Sequence, residues 1–243
     1  MIPIESKTLR FGLGCFETLK VYDNQEIAFF DEHFERLIYG SQVCGLAMPN
    51  KAKIKAEILE FVKKNSLQKQ EAILRLILTS EAGLKYFLEP YKQTNIKLKL
   101  NISSQWFRQT NSVLNNFKSF NYLSNYLAQQ QAHKAGFDDS IILNEKEEIA
   151  ETSNANLFFL NQENIWLTPS LQSGCLNGII RQQLIVFLGA KEQILYIKDL
   201  KNIKTIIATN SLIEAKNIKQ VNEQFFQEVD TKPIKSFLRK TNL

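Results

Sequence analysis

The chain has 243 residues, 44% hydrophobic and 23% charged, with a net charge of +5 and a pI near 9.0. That length suits one large domain or two small ones with a substantial core, in a composition ordinary for a soluble globular protein. No run of basic residues interleaved with aromatics accompanies the basic excess, which argues against nucleic acid as a partner.

Cys15, Cys44 and Cys175 are widely spaced and odd in number, which argues against a disulfide framework and for a reducing compartment. None of the cysteines sits at metal-ligand spacing and the only histidines are His33 and His133, which argues against a zinc site or a histidine-based triad. The opening "MIPIESKTLRFG" has no positive region leading into an apolar run. No apolar stretch reaches bilayer length, so the expectation is a cytoplasmic protein without a membrane partner.

In chain order, "FETLKVYDNQEIAFF" alternates and predicts two strands around an Asp23-Asn24-Gln25 turn. Asp31 is placed as the N-cap of a helix to about Cys44, with Phe34, Leu37, Ile38 and Val43 on its apolar side. Pro49-Asn50 opens a second helix, in which Ile54, Ile58, Leu59 and Val62 recur at helical spacing. "AILRLILTS" and "NIKLKLNI" read as strands, the second with Ile96, Leu98, Leu100 and Ile102 inward. The pattern predicts an α+β domain over 1–103, a polar linker over 104–112 and a larger domain over 113–243. In the latter a helix runs from beyond Lys118 to near Gly136. Strands "SIILN", "NLFFL", "IWLT" and "TIIATN" and a helix after Gly178 follow.

Several residues are candidates for chemistry, and each also has a plain structural reading. Lys118 stands between Phe117 and Phe120; a buried amine is either turned outward or kept neutral for chemistry. Glu151 precedes a strongly apolar strand and is either a solvated turn residue or a partner for a cationic ring nitrogen. The N–H groups that follow Gly178 suit an anion, or simply a turn. Thr209, Asn210 and Ser211 end a buried strand as an N-cap or as a second wall of an anion site. His33 and Arg36 share one helical face, and Arg36 is either a surface charge or a fork for a phosphate.

The stretches "FGLGCFETLKVY", "DEHFERL", "FKSFNYLSNYLAQQQA", "DDSIILNEKEEIAETSNANLFF", "LTPSLQSGCLNGIIRQ" and "IIATNSLIEAKNI" resemble, in order, the class IV aminotransferase-like family. These are fold type IV enzymes that use pyridoxal 5′-phosphate. The resemblance implies an α+β fold of two domains: a smaller N-terminal α/β sandwich and a larger, β-rich, barrel-like C-terminal domain. It implies that Lys118 carries the cofactor covalently and acts as the catalytic base, with Tyr122 beside it and Glu151 facing the pyridine nitrogen. It assigns the phosphate to Arg36, the N–H groups of Ile179 and Ile180, Asn210 and Ser211.

"QSGCLNGIIRQ" and the phrasing around Lys118 look most like the aminodeoxychorismate lyase branch, which makes 4-aminobenzoate and pyruvate for folate synthesis. A branched-chain or D-amino-acid aminotransferase is the alternative. "SEAGLKYF" stands where many relatives have an Arg-Gly turn, which leaves Arg75, Lys85 or Arg108 to meet substrate carboxylates. Family members are typically homodimers, so a homodimer acting on a small molecule is expected.

Overall fold

In the computed structural model, which describes residues 3–48, 50–65, 70–92 and 97–241, the alternation read from "FETLKVY" and "AILRLILTS" becomes two paired strands. The chain divides into two units: Met1–Thr94 with Asn116–Tyr122, and Asn95–Asn115 with Leu123–Leu243. The boundary read from the sequence differs, because residues 104–108 are not a linker. They continue a strand that begins at Leu98. Ser103 is buried and Trp106 binds Gln131, so the polar letters of "SSQWFR" belong to a half-exposed strand. Among the predicted residues, Pro49 and Ile96 lie outside those described.

The first unit contains α1 (Lys7–Phe11), β1 (Gly14–Val21), α2 (Phe30–Cys44), α3 (Lys51–Asn65), β2 (Ala72–Thr79) and β3 (Gly83–Pro90). The strands form an antiparallel sheet in the order β1-β2-β3. Period-2 alternation puts Leu74, Leu76 and Leu78 of β2 on one face, all fully buried, beside Leu19 and Val21 of β1. Helical spacing brings Phe34 and Leu37 of α2 and Ile54, Ile58 and Val62 of α3 into the same core. Each such side chain contributes about 1.5–3 kcal/mol on burial.

The hairpin expected at Asp23-Asn24-Gln25 shrinks to one bridge, Val21 with Ile27. Phe29 then adopts a left-handed backbone (φ 49°) and α2 begins at once, so Asp31 lies in its first turn and not at the cap. β3 escapes the sequence reading because "GLKYFLEP" carries two charges and a proline; an edge strand with one half-exposed face tolerates all three. The turn before it also has a structural task. Glu81 accepts hydrogen bonds from Lys7 N (2.9 Å) and Thr8 Oγ1 (2.5 Å), so "SEAG" clasps α1.

The second unit contains β4 (Leu98–Arg108), α4 (Leu123–Lys134), β5 (Asp139–Asn144), β6 (Ile149–Thr152), β7 (Asn156–Asn161), β8 (Trp166–Pro169), α5 (Ile179–Leu188), β9 (Lys191–Gln193), β10 (Ile203–Thr209), β11 (Lys216–Val221), β12 (Gln224–Phe225) and α6 (Lys232–Thr241). Its strands join in the order β6-β5-β4-β11-β10-β7-β8-β9, with β12 on β11. The sheet curls until its ends meet: Ile149 N donates to Leu195 O (2.7 Å), and Glu148 bridges Tyr196 just beyond β9. Closure satisfies edge N–H and C=O groups that would otherwise invite foreign strands. Leu100, Ile141, Ile149, Leu157, Phe159, Ile206 and Ile218 are among the side chains that fill the interior. No described helix is long and apolar enough to cross a membrane.

Gly40 in α2 has no room for a side chain, since a Cβ would lie 2.7 Å from the Phe117 ring and 3.3 Å from Cys15. Alanine is the better helix former by about 1 kcal/mol, but overpacking a rigid aromatic costs about 1–3 kcal/mol. Gly40→Ala should therefore lower the urea midpoint of unfolding, and an unchanged or raised midpoint contradicts this packing.

Candidate active site

The segment holding Lys118 lies along β1 as an added short strand. Phe16 N donates to Lys118 O (2.9 Å), Phe120 N donates to Gly14 O (3.0 Å), and Cys15 bridges Ser119. Extended backbone sends successive side chains to opposite sides. Phe117 and Ser119 are buried, Phe117 within the helix-covered core, while Lys118 and Phe120 are half-buried. The lysine among aromatics is thus an alternation effect: Phe117 anchors the segment and Lys118 is presented by it. Its Nζ sits 5.0 Å from the centre of the Phe16 ring and 4.9 Å from that of Tyr122. Those two rings meet edge to face at 5.5 Å. Tyr122 is therefore beside Lys118.

Glu17 occupies a β1 position whose neighbours on the same face, Cys15 and Leu19, are buried apolar groups. An unpaired carboxylate there would cost several kcal/mol, and α2 supplies the partners. Arg36 Nε donates to Oε1 (2.6 Å) and Nη2 to Oε2 (2.8 Å), while His33 Nδ1 lies 2.7 Å from Oε2. The shared face read for His33 and Arg36 is real, and an acidic residue missed in the sequence organises it. Burial alone would raise the Glu17 pKa, but Arg36 and then His33 outweigh it and hold it at about 2. Burial pushes the His33 pKa down, against the pull of Glu17 and aided by the charges of Arg36 and Lys118. His33 is then neutral, and Nδ1 carries the hydrogen that it donates to the carboxylate.

In the second unit Glu151, on β6, is 4% exposed. Its Oε2 accepts from Leu176 N (3.2 Å) and Asn156 Nδ2 (3.3 Å). Oε1 lies 2.5 Å from Arg108 Nη2, yet it has no properly aligned hydrogen bond among the described residues, and neither does Arg108 Nε. The two groups are paired by charge, and a lone pair of Oε1 is left for a donor. Arg108, considered for substrate carboxylates, is engaged with this carboxylate. Arg75 is similarly held by Glu89 (2.6 Å).

At the start of α5, Gly178 is the N-cap and has no side chain to satisfy the first N–H groups, including those of Ile179 and Ile180. A Cβ on Gly178 would fall 2.1 Å from Asn156 Oδ1. Asn156 also donates to Leu176 O (2.8 Å), so this side chain, missed in the sequence, ties Glu151 to the approach of α5. Opposite Asn156 in the β7–β10 ladder stands Thr209, only 1% exposed, whose Oγ1 has no hydrogen-bond partner among the described residues. Directly paired residues point to the same face.

Asn210 is otherwise occupied. Its Oδ1 accepts from Leu212 N and Ile213 N (2.9 and 3.0 Å) and its Nδ2 donates to Asn154 O (3.0 Å), so the side chain shapes the turn that Ser211 continues. Arg181, fully buried, pins α5 to Pro169 O and Glu192. Burial pushes the Cys15 and Cys175 thiols up to about 12, which leaves neither as a nucleophile at neutral pH.

Residues 14–221 match the family model described as amino-transferase class IV, and the chain belongs to that family. Its enzymes use pyridoxal 5′-phosphate. A protein of Aquifex aeolicus, provisionally named a branched-chain-amino-acid aminotransferase, is 26% identical over 77% of this chain and 67% of its own length. The branched-chain aminotransferase of Thermoproteus uzoniensis, crystallised with norvaline, superposes with a TM-score of 0.89 at 21% identity, over 99% of this chain and 89% of that one. A Legionella pneumophila protein, provisionally named a 4-amino-4-deoxychorismate lyase, superposes with a TM-score of 0.82 at 25% identity, over 100% and 94%. The fold is thus that of fold type IV aminotransferases.

Three features of the second unit fit the cofactor. Glu151 Oε1 can accept from a protonated ring nitrogen, the buried Thr209 hydroxyl can donate to a phosphate, and the uncapped N–H groups of α5 favour an anion.

The first unit should lose stability on acidification in two stages. Folding disfavours protonated His33, so the unfolded chain binds that proton more tightly and stability falls as pH drops through 6.5. Glu17 adds a second loss as pH falls from 4.5 towards 2. Urea titrations at pH 7 and 5 should show His33→Gln less stable at pH 7 but with a flatter dependence between the two. A wild-type-like slope in that variant contradicts the assignment.

Proposed function

We propose that the chain is a pyridoxal-phosphate-dependent lyase that converts 4-amino-4-deoxychorismate to 4-aminobenzoate and pyruvate, acting as a cytoplasmic homodimer. The observation that carries this reading is the end-to-end match to the Legionella protein, joined to the resemblance of "QSGCLNGIIRQ" to that branch. When bound, the cofactor supplies an aldehyde to which amines add and a ring that withdraws electrons from the adjacent carbon.

The chain's own residues then divide the work. Lys118 would hold the cofactor through its aldehyde and take the proton from the ring carbon that bears the substrate amine. Tyr122 would flank it and keep water away. Glu151 would hold the proton on the pyridine nitrogen. Arg36, Thr209, the N–H groups of Ile179 and Ile180, and the turn of Asn210 and Ser211 would bind the phosphate. Loss of the C–H proton and expulsion of the enol ether as pyruvate make the six-membered ring aromatic. The two products contain all the atoms of the substrate, so no second substrate enters.

The second reading is a branched-chain or D-amino-acid aminotransferase built on the same residues. It is favoured by the names of the relatives, which include several branched-chain-amino-acid aminotransferases and a D-alanine aminotransferase. The two readings separate in a product assay. Equal amounts of pyruvate and 4-aminobenzoate, formed without any 2-oxo acid, support the lyase. Turnover that requires a 2-oxo acid rejects it.

The site itself has its own test. Borohydride should fix the cofactor to Lys118 in the wild type, with loss of the visible absorption band, and should fix none in Lys118→Ala. Unchanged fixation in the variant places the covalent link on another amine.

A further inference from the structure

We infer that Glu17 and His33 are positioning residues that set the Arg36 guanidinium in one orientation, so that it meets a phosphate already aimed. The inference rests on the reading of Arg36 as a phosphate cation and adds two residues to it. A guanidinium has five N–H donors in a rigid planar fork. Glu17 takes one edge of that fork through Nε and Nη2, at 2.6 and 2.8 Å. A two-point grip fixes the plane and direction of the group, which a single contact cannot do.

The location of the grip also matters. Glu17 is 1% exposed and lies on a central-face position of β1, and His33 is 1% exposed on α2, so neither is a surface ion pair that solvent would loosen. An ionised carboxylate here is costly if its only purpose is stability, because apolar replacements of buried ion pairs are often neutral or stabilising. Ionisable groups that face the cluster include Glu17 and Cys15 on β1, His33 and Arg36 on α2, and Lys118 on the segment added to β1. His33 stays neutral beside them. It adds a hydrogen bond to Oε2 without a second positive charge to compete with Arg36 for the carboxylate. Orientation without neutralising competition is what a second layer behind a ligand-binding group provides.

The test compares two ligands that differ only in the phosphate. Apo-protein is titrated with pyridoxal 5′-phosphate and with pyridoxal, followed by absorbance, for wild type, Glu17→Gln, His33→Gln, Arg36→Lys and the Glu17→Gln/Arg36→Lys double variant. Glu17→Gln should weaken the phosphorylated ligand by about tenfold or more while pyridoxal changes by less than about twofold. His33→Gln should show the same contrast at a smaller size, about threefold, and it decides the matter if Glu17→Gln does not fold. The double variant should bind no worse than Arg36→Lys alone, since Glu17 acts through Arg36. Parallel weakening of both ligands, or weakening of neither, overturns the inference. If Arg36→Lys fails to reduce the preference for the phosphorylated ligand, the reading of Arg36 falls instead. If wild type binds neither ligand, the assignment of the cofactor site falls.

Discussion

A carboxylate sealed away from water must have a cation or several donors against it, and two of the buried acids show how this chain meets that demand. Glu17 sits in the apolar row of β1, and Glu151 sits on β6. Around the first, α2 contributes an arginine fork and a neutral imidazole; around the second, β4 contributes Arg108 and β7 contributes Asn156. These pairings determine which helix face or strand end must lie where. Much of the geometry described above follows from meeting that demand, within each unit separately.

The two carboxylates are met differently. Glu17 has both oxygens in well-formed hydrogen bonds, and its pKa is held at about 2 despite burial. Glu151 has one oxygen satisfied and the other close to a guanidinium without an aligned hydrogen bond. Both oxygens of Glu17 are committed to donors, whereas Oε1 of Glu151 can still accept an aligned one. The buried Thr209 hydroxyl likewise has no hydrogen-bond partner among the described residues.

Much of the fold was readable from periodicity. The rows Leu74-Leu76-Leu78 and Ile54-Ile58-Val62 place themselves, and α2 ends where its pattern does. What was hidden was hidden for physical reasons. β3 carries an edge strand's charges, and β4 runs through letters that resemble a linker because one of its faces meets water. Helical spacing paired His33 with Arg36, but no local pattern could reveal Glu17, sixteen residues before His33 and across a strand-helix contact. At the strand end "ATNS", three adjacent hydrogen-bonding residues look alike as letters. Only the folded turn shows that Asn210 is committed to backbone groups while Thr209 is not. Lys118 was legible as a candidate because it interrupts aromatics, and backbone pairing with β1 explains the interruption.

Asn156 gives the second unit a fixed gauge. One amide holds the Glu151 carboxylate and Leu176 O with its nitrogen, and its oxygen lies against the bare Cα of Gly178. The acid at one end and the helix mouth at the other therefore cannot drift apart independently. A change at Asn156 is therefore felt at the carboxylate and at the start of the helix together.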